Sequence, residues 1–147
     1  MSAPTSITNS EWSVMRIVWT LKQCTSHQII DELAHQNDWK PSTVKTLITR
    51  LKNKDYLNVD KQGNGYIYSP KVSEKDAMNA VSINLFDNMC EMKVGNEIGT
   101  IIDHFAISKD DIQMLMDKLA EKQKTAPDKV KCNCLDNQYM KCGDDMK

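Results

Sequence analysis

Three of the five cysteines in this 147-residue chain fall in KCNCLDNQYMKCG, residues 131 to 143, as Cys132, Cys134 and Cys142. A thiolate can act as a nucleophile, as a soft metal ligand or as half of a disulfide. Thiol–disulfide exchange favours Cys-x-x-Cys at a helix start, whereas this segment offers Cys-x-Cys in a polar tail without apolar periodicity. The opening MSAPTSITNSEW has no basic stretch followed by an apolar run, and no window of about 18 apolar residues occurs. A cytoplasmic location without a membrane partner is therefore expected. In that reducing compartment, clustered thiols point to metal or redox chemistry rather than to structural disulfides. No Ser/His/Asp set and no phosphate loop accompanies them, so catalysis is not expected.

The elements that must carry the tail begin with two capping boxes. Thr8 with Glu11 starts a helix bearing Trp12, Met15, Val18 and Trp19 at helical spacing. Thr25 with Gln28 starts a second, with Ile29, Ile30 and Leu33, running to about His35. Pro41 opens a third, in which Val44, Leu47, Ile48 and Leu51 form the inward stripe. Its opposite face carries Ser42, Thr43, Lys45, Thr46, Thr49 and Arg50: hydroxyls and cations, without the glutamates usual on a solvated helix. Leu57 and Val59, the turn Gln62-Gly63-Asn64-Gly65, and Tyr66, Ile67 and Tyr68 then read as a β-hairpin.

Net charge is −1, but its distribution is uneven. Residues 39 to 71 hold seven cations against two anions, and residues 73 to 147 hold ten lysines against fourteen acids. A solvated face explains a basic run in isolation. Here the cations coincide with a third helix and a hairpin, the order of a winged helix-turn-helix. The third helix is then expected in a major groove, with Lys61 and Asn64 of the wing near the flanking phosphates.

After Pro70, Ser73 with Asp76 and then Ser108 cap further helices whose apolar stripes include Met78, Val81, Leu85 and Met89; Ile98, Ile101, Ile102 and Phe105; and Ile112, Leu115, Met116 and Leu119. A second copy of the chain would cover these faces economically, and folding back on the winged domain is the alternative. The expected organisation is mainly α with a small β-hairpin wing: a winged-helix domain over 1–72, a helical dimerisation region over 73–126 and a cysteine-bearing tail over 127–147. Cys24 and Cys90 read as small buried apolar residues, with Cys90 on an apolar helix. His27, His35 and His104 read as surface or core-edge residues on helices. Trp12, Trp19 and Trp39 read as core anchors, and Met15, Met78, Met89, Met114 and Met116 fall at core spacing.

EWSVMRIVW at 11–19 followed by STVKTLITRLKNKDYL at 42–57 resembles the penicillinase-repressor (BlaI/MecI) family of winged-helix proteins, over residues 8 to about 120. The cysteine tail is similar to that of the family's copper-responsive CopY-type branch. The resemblance implies a homodimeric repressor on a palindromic operator with TACA-like half-sites. It gives Thr43 and Thr46 the base contacts, and Ser42, Lys45 and Arg50 the phosphate or base-edge contacts. It also implies a tail of Cys-x-Cys, four residues, Cys-x-Cys. Here Cys132 and Cys134 supply the first pair, but Tyr139 and Lys141 stand at the second, with Cys142 beside them.

Three thiolates cannot close a four-sulfur zinc site without a ligand from a partner chain, a water or a carboxylate such as Asp144. Cu(I) accepts two or three soft donors, and Met140 and Met146 lie close in sequence. The implied effectors are Cu(I) as the releasing ion and Zn(II) in the resting, DNA-bound form, with a copper-donating chaperone as a further partner. Two other functions fit parts of the chain: a β-lactam-type repressor inactivated by proteolysis, and a copper-buffering protein.

Overall fold

The structure, a computed structural model, describes residues 4–135; the expectations placed on Tyr139, Met140, Lys141, Cys142, Asp144 and Met146 lie outside these residues. The chain divides into two units, Met1–Asn84 and Leu85–Lys147.

The first unit is built from α1 (Asn9–Leu21), α2 (Ser26–Asn37), α3 (Pro41–Asn53), the strands β1 (Leu57–Gln62) and β2 (Gly65–Pro70), and the start of α4 (Glu74–Asp87). Both capping boxes form. Thr8 Oγ1 accepts from the Glu11 N–H at 3.2 Å, and the Thr8 N–H donates to Glu11 Oε2 at 3.3 Å. Thr25 and Gln28 repeat the exchange at 3.2 and 2.8 Å, and α2 continues two residues past His35. Asp38, in the left-handed region at φ 55°, ends α2, and Pro41 starts α3 after a short turn. That pair is the helix-turn-helix.

The core gathers one stripe from each helix. Val14, Met15 and Val18 of α1, Ile29 and Leu33 of α2, and Val44, Leu47, Ile48 and Leu51 of α3 are all buried, together with Tyr56. Ala77 joins the same core and Val81 packs against it, so the first turns of α4 belong to this unit. Trp12, Trp19 and Trp39 are half-buried at the core's edge. The Trp12 and Trp19 rings meet edge to face at 5.1 Å, and Trp19 Nε1 donates to the Val72 carbonyl at 2.9 Å.

The hairpin is antiparallel, with Val59 opposite Tyr68, Lys61 opposite Tyr66 and Gln62 opposite Gly65. Only Gly63 and Asn64 remain for the loop, and Gly63 has φ +59°, which a side chain would strain. Cys24, between α1 and α2, exchanges two backbone hydrogen bonds with Tyr68 at 3.0 and 2.8 Å. This bridge fastens the wing to the helices. Cys24 is buried as expected, and desolvation pushes its thiol above the ordinary value, which makes it inert.

A single buried charge ties α1 to α3. Glu11 is 1% exposed, and Lys54 Nζ, just past the end of α3, donates to its Oε2 at 2.8 Å. Nearby, the Tyr56 hydroxyl donates to the Thr5 carbonyl; burial, and then the Glu11 charge, raise its pKa.

The second unit holds the remainder of α4, a 3-10 turn at Glu91–Lys93, α5 (Val94–His104) and α6 (Lys109–Gln123). Ser108 caps α6, accepting from the Asp111 N–H at 3.0 Å. No residue of α5 or α6 is buried within one chain, and Ile98, Phe105, Ile112 and Leu119 are all exposed. Two expectations need correction here. Of the five methionines placed at core spacing, Met15 is buried, but Met78, Met114 and Met116 are exposed, because the apolar faces they share have no cover within one chain. Met89 and Cys90 lie beyond the end of α4 at Asp87, so Cys90 is not on a helix, and it is half-buried rather than enclosed.

Replacing Lys54 with Met strands the Glu11 carboxylate in the core with only the Thr8 N–H. A loss of about 2 kcal/mol in urea unfolding is expected, and Glu11→Gln added to it should recover part of that loss. An unchanged midpoint for Lys54→Met would show that the pair does not hold α3.

Candidate nucleic-acid interface and thiol cluster

The α3 helix presents two faces, set by which residues the core takes. With Val44, Leu47, Ile48 and Leu51 inward, Ser42, Thr43, Lys45, Thr46, Thr49 and Arg50 are among the exposed positions. Lys40, at the N-cap, makes no side-chain cap bond. Two hydroxyls are engaged within the helix: Thr46 Oγ1 donates to the Ser42 carbonyl and Thr49 Oγ1 to the Lys45 carbonyl, each at 3.0 Å. Their protons point back along the helix, so the outward parts of each threonine are a methyl group and an acceptor oxygen.

The wing's Lys61 and Asn64 are both exposed, Lys61 near the end of β1 and Asn64 in the two-residue loop. All seven residues assigned to nucleic-acid contact thus stand on the surface of one unit, on the third helix or on the hairpin. The strand anchor that holds the wing, Cys24 with Tyr68, has no marker in the sequence beyond a buried cysteine ahead of a capping box.

The thiols gather in the second unit. The sulfur atoms of Cys90, Cys132 and Cys134 all lie within 4.8 Å of one another, with Cys90 and Cys132 at 3.5 Å. That distance is far longer than the roughly 2.05 Å of a disulfide. Asn133, between the two tail cysteines, accepts from the Glu91 N–H through Oδ1 at 3.1 Å, which seats the segment on the 3-10 turn. The Cys134 N–H donates to Cys132 Sγ at 3.4 Å. Cys90 and Cys132 are half-buried and Cys134 is exposed. Cys142, the third thiol expected in the group, lies outside the described residues. The residue that sequence reasoning did not associate with the tail is Cys90, 42 positions before Cys132.

The donor set suits a soft ion. A metal–thiolate bond of about 2.3 Å requires sulfurs roughly 3.7 to 4.0 Å apart, and separations between 3.5 and 4.8 Å reach that range with small rotations. Three sulfurs are enough for Cu(I) and one short of a closed zinc site.

A helix-turn-helix whose third helix shows a cationic, hydroxyl-rich face beside a two-stranded wing defines a winged-helix DNA-binding protein. The chain belongs to the penicillinase repressor family of transcriptional repressors, whose signature matches residues 7–121. Among its relatives, an uncharacterized 16.5 kDa protein from the ptsI 3′ region of Latilactobacillus sakei is 45% identical over 132 residues, 90% of each chain. The methicillin resistance regulatory protein MecI of Staphylococcus aureus (strain N315) is 31% identical over 116 residues, 79% of this chain and 94% of MecI. The solved structure of monomeric Bacillus licheniformis BlaI with the blaP half-operator matches at 32% identity and a TM-score of 0.46, over 52% of this chain and 93% of that one. No helix among the described residues is long and apolar enough to cross a membrane.

Removing a phosphate contact weakens binding to all sequences alike. Lys45→Ala is expected to lower affinity for any duplex and to flatten the plot of log K against log salt by about one unit. An unchanged slope, measured by fluorescence anisotropy, would take Lys45 out of the interface.

Proposed function

We propose that this repressor is copper-responsive: as a homodimer it holds a palindromic operator with TACA-type half-sites, and uptake of Cu(I) by its C-terminal thiols releases it, derepressing copper-homeostasis genes. The observation that carries this reading is the thiol cluster of the second unit, three sulfurs within 4.8 Å on the same chain as an exposed reading helix.

On the operator, Thr43 and Thr46 read base edges. With its hydroxyl proton turned back to Ser42, Thr46 offers a methyl for thymine and an acceptor for the adenine amino group, as a TACA-type half-site needs. Ser42, Lys45 and Arg50 hold phosphates or edges, and Lys61 and Asn64 meet the flanking backbone. The exposed apolar faces of α5 and α6 support a dimer, since a second copy would cover them and pair two reading helices across a two-fold site. Zn(II) in the resting form would need a fourth donor beyond the three sulfurs.

Release requires that the ion bind the free protein more tightly than the DNA-bound one. A coupling of about 3 kcal/mol lowers operator affinity roughly 150-fold. MecI, at 31% identity, supports a second reading, a β-lactam-type repressor inactivated by proteolysis. A mobility-shift titration on a TACA palindrome separates the two readings. The expected outcome is release by Cu(I), absence of release by Zn(II), and loss of the Cu(I) effect when Cys132, Cys134 and Cys142 are all serine. Operator retention at saturating Cu(I) would overturn the copper reading.

A further inference from the structure

We propose that Cys90 is the third thiolate of this site, so that one Cu(I) per chain is held in a trigonal set by Cys90, Cys132 and Cys134. The identity of the ion rests on the function proposed above; the ligand set rests on the placement of the sulfurs. A Cys-x-Cys pair alone supplies two donors, and the cluster adds a third from a different part of the chain, 3.5 Å from Cys132.

The surroundings of Cys90 argue for a ligand and against a packing role. A cysteine that serves as a small apolar filler needs a core to fill. Cys90 instead sits at the start of the 3-10 turn Glu91–Lys93, half-buried, in a stretch where neither the turn nor α5 contains a buried residue. Its backbone, at φ −61° and ψ 123°, is extended.

The partner segment is held by contacts that do not involve an ion. The Glu91 N–H bond to Asn133 docks the residue between the two tail cysteines directly beside Cys90. The Cys134 N–H also donates to Cys132 Sγ, a contact that holds the two tail cysteines together. With the segment already seated, little ordering remains to be done when the ion binds.

Coordination releases the thiol protons to solvent and leaves the oxidation states of sulfur and copper unchanged. Its structural consequence is a closed loop between residues 90 and 132 that contains all of α5 and α6. The ion would thereby act on the helices whose apolar faces are exposed, and not on a tail alone.

The test uses the full chain, reduced and anaerobic, with one equivalent of Cu(I) per chain. X-ray absorption is expected to find three sulfurs per copper in the parent and in Cys142→Ser, and two in Cys90→Ser. In competition with a Cu(I) chelator, Cys90→Ser should lose about 100-fold in affinity, the upper end of the cost of losing even an outer partner, and Cys142→Ser should lose none. Alkylation mapped by mass spectrometry, on the unmutated chain, decides the question even where a variant fails to fold: Cu(I) should shield Cys90 together with Cys132 and Cys134.

Cys90 labelled equally fast with and without the ion, or loss of affinity in Cys142→Ser in place of Cys90→Ser, overturns the assignment. Three-sulfur binding without operator release would leave this site standing and remove the copper-repressor function. Release that persists in Cys90→Ser at undiminished affinity would do the reverse.

Discussion

The rotation of α3 about its own axis governs the rest of the molecule. Burying Val44, Leu47, Ile48 and Leu51 fixes that rotation, because burial of one stripe commits the residues between to the other side. A slip of one residue would turn either Lys45 or Arg50, depending on its direction, toward the core and carry apolar side chains out of it. Glu11 and Lys54 add a second constraint at the far end of the same helix, where an off-register arrangement would leave a carboxylate unpaired inside the protein. The cationic, hydroxyl-rich surface of α3 follows from what the core excludes.

The first unit was largely legible in the sequence because its signals are local. Capping boxes span three residues, Pro41 marks a first turn, and Gln62-Gly63-Asn64-Gly65 can close a hairpin with little strain only where glycine takes positive φ. The second unit was less legible for two physical reasons. Apolar spacing shows that Met78, Met114 and Met116 lie on amphipathic faces, but not what covers those faces, and within one chain they are exposed. The proximity of Cys90 to the tail depends on a chain reversal across two helices, and periodicity carries no information about that. The stripe Met78, Val81, Leu85 and Met89 carries the helical pattern up to Cys90, so spacing put that cysteine on the helix, which in fact ends at Asp87.

On the proposed mechanism, the helix that joins the units matters most for coupling. Ala77 of α4 is in the winged domain's core, and three residues past its end at Asp87 stands Cys90. The chain between that core and Cys90 is therefore short, 13 residues from Ala77 to Cys90. Coupling needs an element with two arrangements of different affinity for DNA.

The central claim is that thiol occupancy and operator occupancy oppose each other, and thermodynamic linkage makes that claim testable from the metal side. Cu(I) affinity of the full chain should be measured by chelator competition, with and without a saturating operator duplex. Coupling acts equally in both directions, so the account predicts that DNA weakens Cu(I) binding by the same factor by which Cu(I) weakens DNA binding, about 150-fold. Equal Cu(I) affinity in the presence and absence of the duplex would contradict it.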